Sequence, residues 1–208
     1  MKKILVTQRV EVIEEYGERR DSIDQKWLEF LSSCNLHPVI IPNNLNYVKE
    51  LLATNKFSGA LLTGGNSLIK YGGNSPERDL VEYFLLDWSI KNNKPLLGVC
   101  RGMQMIQDHF ENKLEQIIGH INTKHSLQIH DEHKLTPLLR KLNHVNAFHE
   151  FGAKKATGDL VATASSNDGV VMAIEHKKYP IYGIMWHSER EQPFIRSEKE
   201  IFIKVFEL

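Results

Sequence analysis

The sequence predicts an α/β fold, with a mostly parallel central sheet flanked by helices and additional antiparallel strands in the C-terminal half. Three observations carry this. In the first half, short apolar runs alternate with longer stretches of helical period, the order that a parallel sheet covered on both faces requires. In the second half, strand-like runs follow one another, separated by turn signals such as Asn167-Asp168-Gly169. Between the halves, Gly98-Val99-Cys100-Arg101-Gly102 joins an apolar strand directly to a helical pattern.

The first run, Ile4-Leu5-Val6-Thr7, opens the sheet. A helical pattern from Ser22 to Ser33 follows, with Ile23, Trp27, Phe30 and Leu31 on one face. Val39-Ile40-Ile41 reads as a strand ended by Pro42, and Tyr47 to Leu52 as a short helix. Ala60-Leu61-Leu62 is the next strand. A long helix is expected from Pro76 to Lys91, with its proline in the first turn, where a missing N–H breaks no helical bond. Leu96-Leu97-Gly98-Val99 and a helix after Cys100 complete the alternating set. Beyond it, Ser126 to His130, Leu160 to Ala164, Val170 to Glu175 and Tyr182 to Trp186 read as strands, and Ile201, Phe202, Val205 and Phe206 mark a closing helix. The 208 residues contain no repeat and no linker, so one domain over 1–208 is expected.

Charge and cysteine content narrow the function. The 26 basic and 26 acidic residues balance, so no global field draws the chain to nucleic acid. No apolar run is long enough to span a membrane, and Met1-Lys2-Lys3 leads straight into a strand pattern without the apolar core of a signal peptide. Two cysteines make no disulfide framework; a reactive thiol suits a reducing, cytoplasmic setting. Cys34, at the end of a helical pattern, reads as packing.

Cys100 reads differently. Glycines flank it at minus two and plus two, which a structural cysteine does not need. They permit the sharp strand-to-helix turn that presents a nucleophile, and the helix N-terminus favours thiolate. Such a nucleophile needs a base and an orienting group. Of ten histidines, His187 stands at the end of an apolar strand, with Glu189 two residues on. In extended chain, positions i and i+2 point to one side, so Glu189 can hold the imidazole. Cys100, His187 and Glu189 are therefore the expected catalytic residues. Gly64-Gly65, after the strand at Ala60, and the N–H of Arg101 are the expected oxyanion donors, with Gly65 and Arg101 supplying the hole.

These residues resemble class I glutamine amidotransferase domains, and within them the γ-glutamyl hydrolase branch. The match runs through Thr63-Gly64-Gly65-Asn66, Arg78-Asp79 with Glu82, Gly98 to Gln104, Val145-Asn146-Ala147-Phe148-His149 and Gly183 to Glu189. It implies a flavodoxin-like class I glutamine amidotransferase fold and hydrolysis of a small γ-glutamyl amide through a γ-glutamyl thioester, with no cofactor. It also implies that Gln104, Asn66 and the segment His149-Glu150-Phe151 contact the glutamyl group. Two departures stand out: Ser188, where many relatives have proline, and Glu150-Phe151, where relatives vary. Thr7-Gln8-Arg9-Val10 and Tyr16 to Asp21 resemble the part of the branch whose substrate is a nucleotide-linked phosphoramidate used in capsule modification.

Arg9, Arg19 and Arg20 follow the first strand and are expected over the catalytic edge, where arginine forks suit the oxygens of a pyrophosphate or another anion. His120, His125, His130 and His133 lack the spacing of a zinc pattern, and no metal is expected. The competing readings are a hydrolase of γ-glutamyl amines of the γ-glutamyl-γ-aminobutyrate type, a glutaminase subunit supplying ammonia to a synthetase, and an inactive binding protein that kept the fold.

Overall fold

A computed structural model describes residues 1–207. Its strands are β1 (Lys2–Val6), β2 (Arg9–Ile13), β3 (Glu18–Ser22), β4 (Leu36–Ile40), β5 (Gly59–Leu62), β6 (Leu96–Val99), β7 (Glu115–Gln116), β8 (Ile121–His125), β9 (Gln128–Ile129), β10 (Val145–Phe148), β11 (Phe151–Gly152), β12 (Leu160–Ser165), β13 (Val171–His176) and β14 (Ile181–Ile184). The helices are α1 (Lys26–Ser33), α2 (Leu45–Thr54), α3 (Pro76–Asn92), α4 (Arg101–His109), α5 (Thr136–Leu139) and α6 (Arg196–Phe206).

Eight strands form one sheet in the order β4-β1-β5-β6-β14-β13-β12-β9. The five from β4 to β14 are parallel to one another, and β13, β12 and β9 continue the sheet antiparallel. This is the α/β class read from the sequence. The central strands β5, β6 and β14 are buried along their whole length, which is why they read as unbroken apolar runs rather than alternating ones. Helix α1 meets α6 through Trp27, Phe30 and Phe202, with the Phe30 and Phe202 rings edge to face at 4.7 Å. Pro76 begins α3 and Asn93 ends it in the left-handed region at φ 49°. No helix among the described residues is long and apolar enough to cross a membrane.

Two expectations are corrected. The helix read from Ser22 begins at Lys26, and Glu18–Ser22 is instead a strand paired with Arg9–Ile13. Arg19 and Arg20 thus lie in a hairpin strand. Alternating Val10 and Val12 with charged neighbours is the period-two signal for it, and Gly17 at φ 63° makes the turn. The strand expected over Ser126–His130 shrinks to Gln128–Ile129, because Ile121–His125 pairs with Val145–Phe148 in a separate ribbon.

The residues that matter sit together because of where the parallel strands end. Thr63, Cys100 and His187 all lie just past the C-terminal ends of β5, β6 and β14, the edge at which open α/β sheets bind ligands.

Candidate active site

Cys100 occupies the turn between β6 and α4 at φ 52°, ψ −106°, a conformation that costs a non-glycine residue about 1–3 kcal/mol. The surroundings impose it. Its N–H donates to the Ile184 carbonyl (2.8 Å) and its carbonyl accepts from the Gln104 N–H (3.0 Å). Close approach of α4 to the sheet completes the constraint: a Cβ on Gly102 would lie 2.2 Å from the Leu62 carbonyl oxygen, and one on Gly98 2.4 Å from the Gly102 backbone.

His187 comes to the same point from β14. Asn146 on β10 holds its backbone at both ends, accepting from the His187 N–H (2.8 Å) and donating to the His187 carbonyl (2.9 Å). The imidazole Nδ1 lies 2.6 Å from Glu189 Oε1. A carboxylate there fixes the proton on Nδ1 and leaves Nε2 for the sulfur. Glu189 reaches back through a short 3₁₀ turn (Ser188–Arg190), not through the extended chain expected. The Gly64 α-carbon faces both reactive groups: a Cβ on it would be 3.1 Å from His187 Nε2 and 3.5 Å from the Cys100 Cβ. Burial alone would favour neutral His187. The neighbouring Cys100 side chain, then the Glu189 carboxylate, outweigh it, and its pKa is pushed up to about 9. The site therefore favours imidazolium beside sulfur at neutral pH.

The glycine loop is held by a buried ionic network. Arg78 on α3 donates to the carbonyls of Thr63 (2.7 Å), Gly64 (3.1 Å) and Gly65 (2.6 Å). Its Nε also pairs with Glu82 (2.9 Å), which accepts from the Thr7 hydroxyl (2.9 Å) and pairs with Arg101; Arg101 pairs in turn with Asp79. Burial would raise the Glu82 pKa, but Arg101 and Arg78 together hold it below the usual carboxylate value. Burial, with Arg101 beside it, lowers that of Arg78 to about 10. Arg78-Asp79 with Glu82 is legible in the sequence as a motif; its task of bracing the loop is not, because helical spacing shows the pair and not the carbonyls it reaches. The role of Asn146 is likewise unseen in the sequence, and so is the place of Arg190 in the lining of the cavity described next.

One cavity is lined by Cys100, Gly65, Arg101, Gln104, Asn66, His149, Glu150 and Phe151, together with His187 and Arg190. The structure thus brings Cys100, His187 and the expected oxyanion and glutamyl-contact residues to one cavity, with Glu189 bonded to His187 outside its lining. Their free hydrogen-bonding capacity differs. Gln104 Nε2 donates to the Phe151 carbonyl (2.9 Å), which leaves its Oε1 for a ligand. The Asn66 amide is spent on the Val10 backbone, accepting at 2.8 Å and donating at 2.9 Å. His149 places Nδ1 3.0 Å from the Phe151 carbonyl and Nε2 3.1 Å from His120, so it shapes the wall. Burial, aided by His120, lowers its pKa to about 4.

The three N-terminal arginines do not converge. Direct cross-strand partners share a face of the β2–β3 hairpin, which puts Arg9 and Arg20 on one side and Arg19 on the other. Arg9 packs over Gly65, bonded to Glu11 (2.7 Å) and Ser22 (3.3 Å). Arg20 pairs with Glu18, while Arg19 is tied to Glu77 (2.7 Å) and the Asn74 carbonyl (2.8 Å) at the start of α3.

His120, His125 and Asp168 have ligating atoms within 4.8 Å of one another. Both His120 nitrogens already face partners, His149 at 3.1 Å and Asp168 at 3.0 Å. The His120 and His125 rings stack at 3.9 Å and 16°, and near-parallel rings cannot both aim in-plane lone pairs at one ion.

Comparison with known proteins places this geometry in a lineage. The peptidase C26 family model matches residues 4–189. The γ-glutamyl-CDP-amidate hydrolase of Campylobacter jejuni subsp. jejuni serotype O:2 is 31% identical over 193 residues, covering 89% of each chain. The γ-glutamyl-γ-aminobutyrate hydrolase of Escherichia coli O157:H7 is 25% identical over 206 residues, covering 83% of this chain and 80% of that one. A Thermoplasma acidophilum crystal structure, described as that of a GMP synthase subunit, superposes with a TM-score of 0.75 over 100% of this chain and 93% of its own, at 21% identity, and shares the fold. With the family match spanning both the Cys100 turn and the His187-Glu189 turn, the chain belongs to the peptidase C26 family, a class I glutamine amidotransferase-like family.

Proposed function

We propose that this γ-glutamyl amide hydrolase acts on a nucleotide-linked γ-glutamyl phosphoramidate, γ-glutamyl-CDP-amidate above all, and releases glutamate and cytidine diphosphoramidate for capsule modification. The observation that carries the reaction type is the meeting of Cys100, His187 and Glu189 at the Gly64 α-carbon. The substrate follows from likeness to the Campylobacter enzyme along nearly the whole chain, and from Arg9 over the glycine loop.

In this reading the Cys100 thiolate attacks the γ-carbonyl carbon and forms a C–S bond. The N–H groups of Gly65 and Arg101 receive the oxyanion. As the intermediate collapses, the C–N bond breaks and the His187 imidazolium gives its proton to the departing nitrogen. Neutral His187 then takes a proton from water, whose oxygen attacks the thioester. The C–S bond breaks, glutamate leaves, and thiolate and imidazolium are restored. Gln104 Oε1 accepts from the α-ammonium group of the glutamyl moiety. Both cysteines are free, which supports a cytoplasmic setting.

One observation favours a second substrate. Arg19 and Arg20 are paired with Glu77 and Glu18, and Arg9, which lies over the loop, is paired with Glu11, so the three leave no free cation for a phosphoryl group, and a γ-glutamyl amine such as γ-glutamyl-γ-aminobutyrate has no phosphoryl group to meet. The deciding experiment is glutamate release from γ-glutamyl-CDP-amidate, γ-glutamyl-γ-aminobutyrate and glutamine, compared by kcat/KM. The nucleotide substrate is expected to lead. Turnover of glutamine alone, stimulated by a synthetase, would overturn the reading in favour of an ammonia-supplying subunit. Cys100→Ala is expected to release no glutamate while still binding substrate; turnover comparable with wild type would remove the nucleophile.

A further inference from the structure

A second cavity lies across the Gly64-Gly65 loop from the first, lined by Arg9, Ser22, Asp24 and Trp27. The two have three residues in common: Gly65, His187 and Arg190. Cys100 and Gln104 border only the first cavity, so the glutamyl chain belongs there. The leaving nitrogen must lie against His187, which protonates it. Its substituent therefore departs past His187, through the junction where Arg190 stands. We propose that Arg190 is a specificity-determining residue that recognises a negative charge on the leaving group, close to the scissile nitrogen. This deepens, and rests on, the substrate reading given above.

The state of the other cations supports this. Arg9 is paired with Glu11, Arg101 is buried between Asp79 and Glu82, and His187 is held by Glu189. Among the described residues, the Arg190 guanidinium donates no hydrogen bond. The carboxylate beside it is that of Glu189, whose Oε1 lies 3.7 Å from Arg190 Nε and already accepts from His187. The Arg190 guanidinium carbon sits 4.4 Å from the Phe148 ring centroid, so the fork is braced against an aromatic face while its N–H groups remain available. A braced guanidinium loses little freedom when it captures an anion, and its planar fork matches phosphoryl oxygens in pairs. A phosphoramidate places such oxygens one bond beyond the nitrogen.

Two other roles are chemically open to Arg190: steadying Glu189, or pairing with the α-carboxylate of the glutamyl group. Both would affect every γ-glutamyl substrate alike. The test is therefore a ratio, measured with the full chain and with variants whose melting temperature matches wild type. For wild type, R190Q and R190K, kcat/KM is determined on γ-glutamyl-CDP-amidate and on glutamine, whose leaving group carries no anion. R190Q is expected to lower the ratio of the two values at least about tenfold, through KM of the nucleotide substrate, and R190K to restore part of it. Equal losses on both substrates, or no loss on either, would overturn the inference. If R190Q does not fold, the ratio for R190K alone decides, with an unchanged ratio counting against. Wild type that cleaves glutamine and leaves γ-glutamyl-CDP-amidate intact would sink the substrate reading and this inference together. An unchanged ratio in variants of a wild type that cleaves both sinks the inference alone.

Discussion

Cys100 and Glu189 are both held where an isolated side chain would not stay. Cys100 keeps a positive φ because Ile184 and Gln104 claim its peptide groups. Glu189 is nearly fully buried, and its only hydrogen-bond partner among the described residues is His187. A buried carboxylate with one donor persists because that donor becomes positively charged. Glu189→Gln removes the charge and offers an amide that can turn its NH2 toward Nδ1, which favours the wrong tautomer. The expected outcome is a fall in kcat of about a thousandfold or more, with the fold intact. Glutamate release at saturating substrate checks it, and a fall of only a few-fold would mean that Glu189 does not orient His187.

At the scale of elements, the site depends on how closely α4 is seated on β5. Gly102 lies against the Leu62 backbone with no room for a methyl group, so Gly102→Ala must lift the first turn of α4 and with it Cys100. We expect a loss of about 1–3 kcal/mol in stability and a lower kcat, read by thermal melting and by glutamate release; a variant with wild-type values in both would refute the seating argument. The same elements show what a sequence discloses. The parallel strands are legible because burial on both faces leaves Ala60-Leu61-Leu62 and Leu96-Leu97-Gly98-Val99 nearly free of polar residues. The juxtaposition of Cys100 and His187 is legible because each follows the end of such a strand, and Glu189 because it stands two residues beyond His187. Short ribbons are not legible in this way. Glu115–Gln116 and Phe151–Gly152 pair over two residues each, below the length at which any period appears. The hairpin of Arg9 to Ser22 is masked by Ile23 and Trp27, whose helical spacing extends the apparent helix backward across Ser22. The pairing of Arg19 with Glu77 spans 58 residues, a long-range contact that local pattern cannot supply.

Across the whole molecule, the C-terminal helix closes the sheet beneath the triad turn, and it does so with a carboxyl group in the wrong place for a charge. Glu198, in the first turn of α6, is buried, and neither oxygen finds a hydrogen-bond partner among the described residues. The Ser188 hydroxyl lies near it but outside hydrogen-bond geometry. Burial, with Glu191 and Glu189 nearby, raises the Glu198 pKa to about 7. The folded pKa therefore lies above the ordinary value of 4.5, and the folded state binds this proton more tightly than the unfolded chain does. The stability that the proton confers is complete below the unfolded pKa. It declines as pH rises from there through about 7, above which Glu198 is charged in both states and the cost of burying it is fully felt. Glutamine keeps the shape and has no charge to bury. Glu198→Gln should thus melt at a higher temperature than wild type at pH 8, with the advantage shrinking to near zero at pH 4. The measurement is the melting temperature of both proteins at a series of pH values. A difference that stays constant across that range would show that Glu198 is not protonated on folding, and that the packing of α6 under the catalytic turn does not depend on its charge.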